Sequence, residues 1–150
     1  MTLEKRTVVV VLGTPRSGTS AITRMLPVFG IRLGDDLVSP NLNNPVGFWE
    51  DVPTQRINAK LLALAGRHLG WPVFRREPVE SAAEYAELLQ EARRLLRGKL
   101  ADDSVWAFKD PRANRLLFFW QRLFADLSCQ DRYILALRNP ASVARSLVIS

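Results

Sequence analysis

The chain has 150 residues, 47% of them hydrophobic and 24% charged, a composition that fits one globular domain able to bury roughly two-thirds of its unfolded surface without a disulfide or metal staple. A single cysteine, Cys129, excludes a disulfide scaffold, and no apolar run approaches the ~20 residues that cross a bilayer. The net charge of +6 rests on 17 Arg and only 4 Lys; the planar fork of Arg suits phosphate or sulfate oxygens, while basic residues scattered without an aromatic stripe argue against a nucleic-acid partner.

Thr7–Leu12 is a β-branched apolar run closed by Gly-Thr-Pro, and it reads as a buried strand rather than a signal peptide. With one cysteine, that predicts a cytoplasmic protein. Helical spacing then covers Ser17–Phe29, with Gly30 as the stop and Pro27 as an internal conflict. Asp35–Trp49 is turn-rich and non-periodic, a long loop of the kind that often carries function. Pro53–Leu69 is predicted helical, and Ser81-Ala-Ala-Glu84 reads as a capping box that opens a helix to Leu96, closed by Gly98. Ser104–Phe108 is the second strand, Asn114–Leu127 a helix, Tyr133–Leu137 the third strand, and Asn139-Pro140 caps and starts a final helix. Strands alternating with helices predict an α/β fold with a parallel sheet, in one domain over residues 1–150.

Three segments carry chemistry. Gly13-Thr-Pro-Arg-Ser-Gly-Thr-Ser20 lies between a buried strand and a helix, where backbone N–H groups converge on one spot suited to a phosphate. Its spacing fits the nucleotide-binding pattern G-x-x-x-x-G-K-S/T except that Thr19 replaces the lysine, which speaks against ordinary ATP or GTP hydrolysis. Without a ligand, the same residues make a tight strand-to-helix turn. Arg138-Asn-Pro-Ala-Ser-Val-Ala-Arg-Ser146 follows the third strand, with Arg138 at the sheet edge where open α/β sheets bind ligands and Ser146 about two turns into the helix; alone, Arg-Asn-Pro is a common helix start. Phe108-Lys109-Asp110-Pro111-Arg112 closes the second strand and is either a surface turn with a salt bridge or a third cation on that edge. Three cationic strand ends on one edge point to a shared anionic ligand.

Together, Pro15-Arg-Ser-Gly-Thr-Ser20, Asn44-Pro-Val-Gly-Phe-Trp-Glu50, Lys109-Asp-Pro-Arg112 and Arg138-Asn-Pro-x-x-Val-x-x-Ser146 resemble the sulfotransferase family, whose members use 3′-phosphoadenosine 5′-phosphosulfate (PAPS). The resemblance spans nearly the whole chain in motif order. It implies a three-layer, P-loop-like fold with a central parallel sheet flanked by helices, and an N-terminal portion of such an enzyme, incomplete at the C-terminus. It implies that Arg16, Ser17, Gly18, Thr19 and Ser20 cradle the 5′-phosphosulfate, that Arg138 and Ser146 hold the 3′-phosphate, and that Lys109 lies near the sulfuryl group. A sulfuryl group carries less negative charge than a terminal phosphoryl group, so fixed cations replace Mg²⁺ and no metal is required.

An acceptor hydroxyl on a small molecule, lipid or carbohydrate needs a general base. Lys109-Asp110-Pro111 contains no histidine, and His68, in the middle of a predicted helix, reads as a packing residue. Many members of the family that the chain resembles use a histidine after the second strand, and other branches use a glutamate after the phosphosulfate loop. The resemblance therefore implies Glu50, which follows the Gly-Phe-Trp turn, as the candidate base, with Asp110 second; the competing reading makes Glu50 a helix N-terminal carboxylate beside Asp51. Trp49, Trp71 and Phe74 have two readings, as the lining of an acceptor pocket or as core, and the apolar context favours core. The alternatives to an active sulfotransferase are a truncated, non-catalytic PAPS-binding module and a P-loop kinase. An unfinished apolar sheet edge would favour pairing between copies of the chain.

Overall fold

The computed structural model describes residues 6–42, 44–66, 76–101 and 105–148. β1 (Thr7–Leu12) is the middle strand, flanked by β2 (Val105–Lys109) and β3 (Gln130–Leu135) in the order β2-β1-β3. Both pairings are parallel: Val11 lies opposite Lys109 on one side and Ile134 on the other. The helices are α1 (Thr19–Met25), α2 (Val52–Gly66), the single turn α3 (Glu77–Glu80), α4 (Glu84–Lys99), α5 (Ala113–Asp126) and α6 (Pro140–Val148). No helix among the described residues is long and apolar enough to cross a membrane.

Successive strand side chains point to opposite faces, and on β1 both faces are buried, which explains its unbroken apolar sequence. Val8 and Val10, with Trp106 and Phe108 of β2, meet α2, α4 and α5. Val9, Val11 and Ala107 meet Ile22 and Leu26 on the opposite face. Helices therefore cover both sides of the sheet, the three-layer α/β arrangement expected from the sequence. The larger core is aromatic: Phe108 and Trp120 have ring centroids 4.9 Å apart, and Phe119 meets Trp120 edge-on at 5.4 Å.

The boundaries differ from the sequence-based ones for local reasons. The helix expected from Ser17 begins at Thr19, because Arg16 (φ 68°) and Gly18 (φ 97°) are left-handed and cannot enter a right-handed helix. Its α-geometry ends at Met25; Leu26–Phe29 continues as a 3₁₀ turn around Pro27, which has no N–H for an α-helical bond. Gly30 closes it, as expected, donating its N–H to Pro27 O at 3.0 Å. The capping box does not form: Ala83 already has helical φ and ψ when α4 starts and no side chain caps it, and Gly98 lies inside α4. β2 runs from Val105 to Lys109, one residue beyond Phe108. β3 begins at Gln130, not Tyr133, because Gln130 pairs with Thr7, and it stops at Leu135. α2 starts at Val52, and α5 is shifted one residue towards the N-terminus. His68, Trp71 and Phe74 lie outside the described residues.

β3 has one strand neighbour among the described residues, and Leu135 and Leu137 on it and just after it are 60% and 82% exposed. That is the bare apolar edge the sequence predicts.

Leu116 is fully buried where α5 meets the sheet. Leu116→Ala is expected to lower unfolding free energy by about 2–5 kcal/mol, measured by urea denaturation; a loss below about 1 kcal/mol would contradict this packing.

Candidate active site

The loop after β1 is shaped by close approach. A Cβ on Gly13 would sit 2.7 Å from Ser17 Oγ, 2.8 Å from Thr19 Cγ2 and 2.9 Å from Ala136 O, so only glycine fits. Asn114, in the first turn of α5, holds Gly13 at both backbone groups: Gly13 N–H donates to Asn114 Oδ1 at 3.0 Å, and Asn114 Nδ2 donates to Gly13 O at 2.7 Å. The same amide nitrogen donates to Pro111 O at 3.0 Å. Asn114 escaped the sequence reading, although an amide at the start of an apolar helix was a signal available to it.

Inside the loop, Ser17 donates its N–H and its Oγ–H to Thr14 O, at 3.1 and 2.7 Å. Its hydroxyl thus closes the turn, and Ser17 stands behind the cleft wall. The other candidates converge. Arg16, Gly18, Thr19, Ser20, Glu50, Lys109, Arg138 and Ser146 all line one cleft of about 930 Å³. Arg16 Nε donates to Ser146 Oγ at 2.8 Å and Arg138 Nη1 donates to Arg16 O at 2.9 Å, so the end of β3, α6 and the first loop are tied together. α6 itself is capped as the sequence predicts, with Asn139 Oδ1 accepting from Ala141 N at 2.9 Å and Ser142 N at 3.3 Å.

Glu50 enters from the 44–50 segment. Gly47 N–H reaches Asn44 O at 3.1 Å and Asn44 Nδ2 reaches Gly47 O at 2.7 Å. Gly47 (φ 97°) and Trp49 (φ 59°) are both left-handed, and Ser20 Oγ–H ties the turn to α1 by donating to Phe48 O at 3.3 Å. The two adjacent carboxylates then part company. Asp51 caps α2, its Oδ2 accepting from Thr54 N at 3.1 Å and Thr54 Oγ1 at 2.7 Å, and its Oδ1 pairs with Lys99 at 2.7 Å. The helix-terminus role considered for Glu50 is filled by Asp51. Glu50 Oε1 instead pairs with Lys109 Nζ at 2.7 Å, with both side chains over 90% buried, and its Oε2 accepts from Gln55 Nε2 at 3.1 Å. Gln55, one turn into α2, is a second residue the sequence reading missed. Trp49, read as core, packs partly on the sheet and also lines the cleft.

Asp110 faces away from the cleft. Its Oδ2 accepts from Asn58 Nδ2 and Arg112 Nη1, both at 3.0 Å, and its Oδ1 from Arg112 N–H at 2.9 Å. Burial pushes its carboxyl above the ordinary value, partly opposed by those hydrogen bonds and the Arg112 charge. Asn58 Oδ1 in turn accepts from Trp120 Nε1 at 2.9 Å, which anchors the 109–112 turn to the core. Asp110 is therefore a positioning group.

Among the described residues, four cationic side chains, Arg16, Arg24, Lys109 and Arg138, line the cleft against one acid, Glu50. With the first-turn amides of α1, which have no intrahelical acceptor, they make this wall of the cleft cationic and rich in hydrogen-bond donors. A scan against protein-family models finds no match, and neither does a search of curated proteins.

Removing one partner of a buried ion pair leaves the other uncompensated. Lys109→Met is expected to cost about 3–5 kcal/mol of stability, and the double change Lys109→Met with Glu50→Gln should recover a large part of it. Urea titrations of the three variants check this; a double variant no more stable than the single one contradicts the pairing.

Proposed function

We propose that the cleft binds PAPS and transfers its sulfuryl group to a hydroxyl acceptor. The observation that supports this best is the convergence of Arg16, Arg138, Ser146 and Lys109 on one cleft beside the Gly13–Gly18 loop, with a carboxylate among them. The donor set suits such a nucleotide: guanidinium forks and hydroxyls match phosphate oxygens, and the separate ammonium of Lys109 gives a second cationic focus. Arg138 and Ser146 would hold the 3′-phosphate. Arg16, Gly18, Thr19 and Ser20 would hold the 5′-phosphosulfate, with Ser17 keeping the loop in shape. At the position where nucleoside-triphosphate enzymes carry lysine stands Thr19, short and buried, so nothing there favours a kinase.

PAPS supplies a sulfuryl group whose bond to the 5′-phosphate breaks as the acceptor oxygen bonds to sulfur. The side chains do the rest. Glu50 takes the acceptor's proton: Lys109 and Gln55 occupy one lone pair on each carboxylate oxygen, leaving others to receive it. Protonation neutralises Glu50 and loosens its hold on Lys109, whose ammonium is then available to the negative charge building on the leaving phosphate. Arg16 stabilises the same charge from the loop side. Proton transfer and charge stabilisation are thus linked through one ion pair. We place this chemistry in the cytoplasm, in keeping with one free, buried cysteine, Cys129.

Two measurements test the proposal. In calorimetry without divalent metal, 3′-phosphoadenosine 5′-phosphate (PAP) should bind at least about tenfold more tightly than ATP, and Arg138→Ala should weaken PAP by about 1.5–3 kcal/mol, the worth of a charged hydrogen bond. Equal affinity for PAP and ATP rules the donor out. With labelled PAPS and a panel of hydroxyl acceptors, Glu50→Gln should abolish transfer while PAP still binds within about threefold of wild type. Parallel loss of both contradicts a base at Glu50, and PAP binding without transfer to any acceptor identifies a non-catalytic binding module.

A further inference from the structure

The proposed donor accounts for Arg16, Arg138 and Lys109 but leaves the fourth cation of the cleft, Arg24, without a task. Arg24 lies on α1 one turn beyond Ser20, and its side chain has no hydrogen-bond or ion-pair partner among the described residues. Ala21, Arg24, Met25 and Val28 all line the cleft at spacings of three, four and seven residues, so they form one stripe along α1 and the 3₁₀ turn. Ile22 and Leu26 point the other way, into the sheet.

The stripe is apolar apart from Arg24, and it is bare. Met25 and Val28 are 54% and 75% exposed, and Val46, across the cleft on the 44–49 turn, is 56% exposed. Phe48 and Trp49 extend that second wall. Apolar surface gathered on two walls of a concave site is unfavourable in water and favours an apolar ligand. A cation near the C-terminal end of α1 also suits the helix dipole. That preference holds anywhere around the helix end, however, and does not select the side facing the cleft.

We infer that this part of the cleft is the acceptor site and takes an apolar hydroxy compound bearing one carboxylate, with Arg24 as the residue that selects the charge. The inference rests on the sulfuryl-transfer reading above. Its electrostatics are consistent: the donor brings several negative charges into the same cleft and would repel an anionic acceptor, and Arg24 offsets that repulsion at the acceptor end. The apolar body lies between the Met25/Val28 stripe and the Phe48/Trp49 wall, and the hydroxyl is directed to Glu50.

The test uses protein saturated with PAP and titrated calorimetrically with 3-(4-hydroxyphenyl)propionate or its methyl ester. The acid should bind at least about tenfold more tightly than the ester, a preference that shrinks as salt is raised. Arg24→Ala should erase the preference and Arg24→Lys should keep part of it; Arg24 is exposed, so neither change disturbs the core. Equal binding of acid and ester, no binding of either, or a preference that survives Arg24→Ala overturns the inference while intact PAP binding leaves the sulfuryl-transfer reading standing. Failure of wild-type protein to bind PAP overturns both.

Discussion

β1 is hydrogen-bonded on both sides to parallel strands, and a parallel ladder brings the C-terminal ends of all three to the same edge of the sheet. Gly13 leaves β1 there, Lys109 ends β2 there, and Arg138 follows β3 after one more ladder bond, from Ala136 N to Leu12 O at 2.8 Å. Residues about 30 to 125 positions apart in sequence thus meet without any long-range side-chain contact having to draw them together. If either pairing were antiparallel, one of these cations would lie at the far end of the molecule. The cleft is a consequence of strand direction.

Gathering cations in one place raises their energy, and the structure shows how each is accommodated. Lys109 is neutralised by Glu50 in a buried pair that breaks even only because its geometry is good and Gln55 satisfies the second carboxylate oxygen. Arg138 donates to a backbone carbonyl and Arg16 to a hydroxyl, both neutral partners, so neither charge is neutralised by these bonds. Arg16 also adopts a left-handed backbone conformation, at a cost of roughly 1–2 kcal/mol for a residue with a Cβ. The two hydrogen bonds at Arg16 offset that strain. Donors already in position need little reorganisation when charge develops, and that is where electrostatic stabilisation is most effective.

Behind the cleft, polar contacts fasten these groups to the aromatic core. Trp120 donates to Asn58, Asn58 to Asp110, and Asp110 accepts from Arg112, while Asn114 clamps Gly13 to the following helix. Each member is satisfied, which is what allows a polar chain to persist beside Phe108 and Trp120. Asp110 shows its cost: burial has raised its carboxyl above the ordinary value despite three hydrogen bonds.

Much of this was legible in the sequence. The run Thr7–Leu12, alternating strands and helices and the Gly13–Ser20 pattern were enough to predict a parallel α/β fold and to single out Arg16, Lys109 and Arg138, because periodicity, glycine placement and the succession of elements along the chain are local properties. Conflicts of local signals were harder. The Ser81–Glu84 box was overridden because the chain enters α4 already helical, and the start of β3 was set by the length of β1 rather than by its own apolar residues. Which of two adjacent carboxylates caps α2 and which faces the cleft could not be read from Glu50-Asp51, because the answer depends on Lys99 and Lys109, some fifty and sixty residues away. The same holds for Asn114, Gln55 and the outward stripe of Arg24, Met25 and Val28. Sequence alone determined which residue types were present and the broad succession of strands, turns and helices. Only the tertiary structure decided which of them share a charge, a wall or a hydrogen bond, because those energies depend on distance in space and not along the chain.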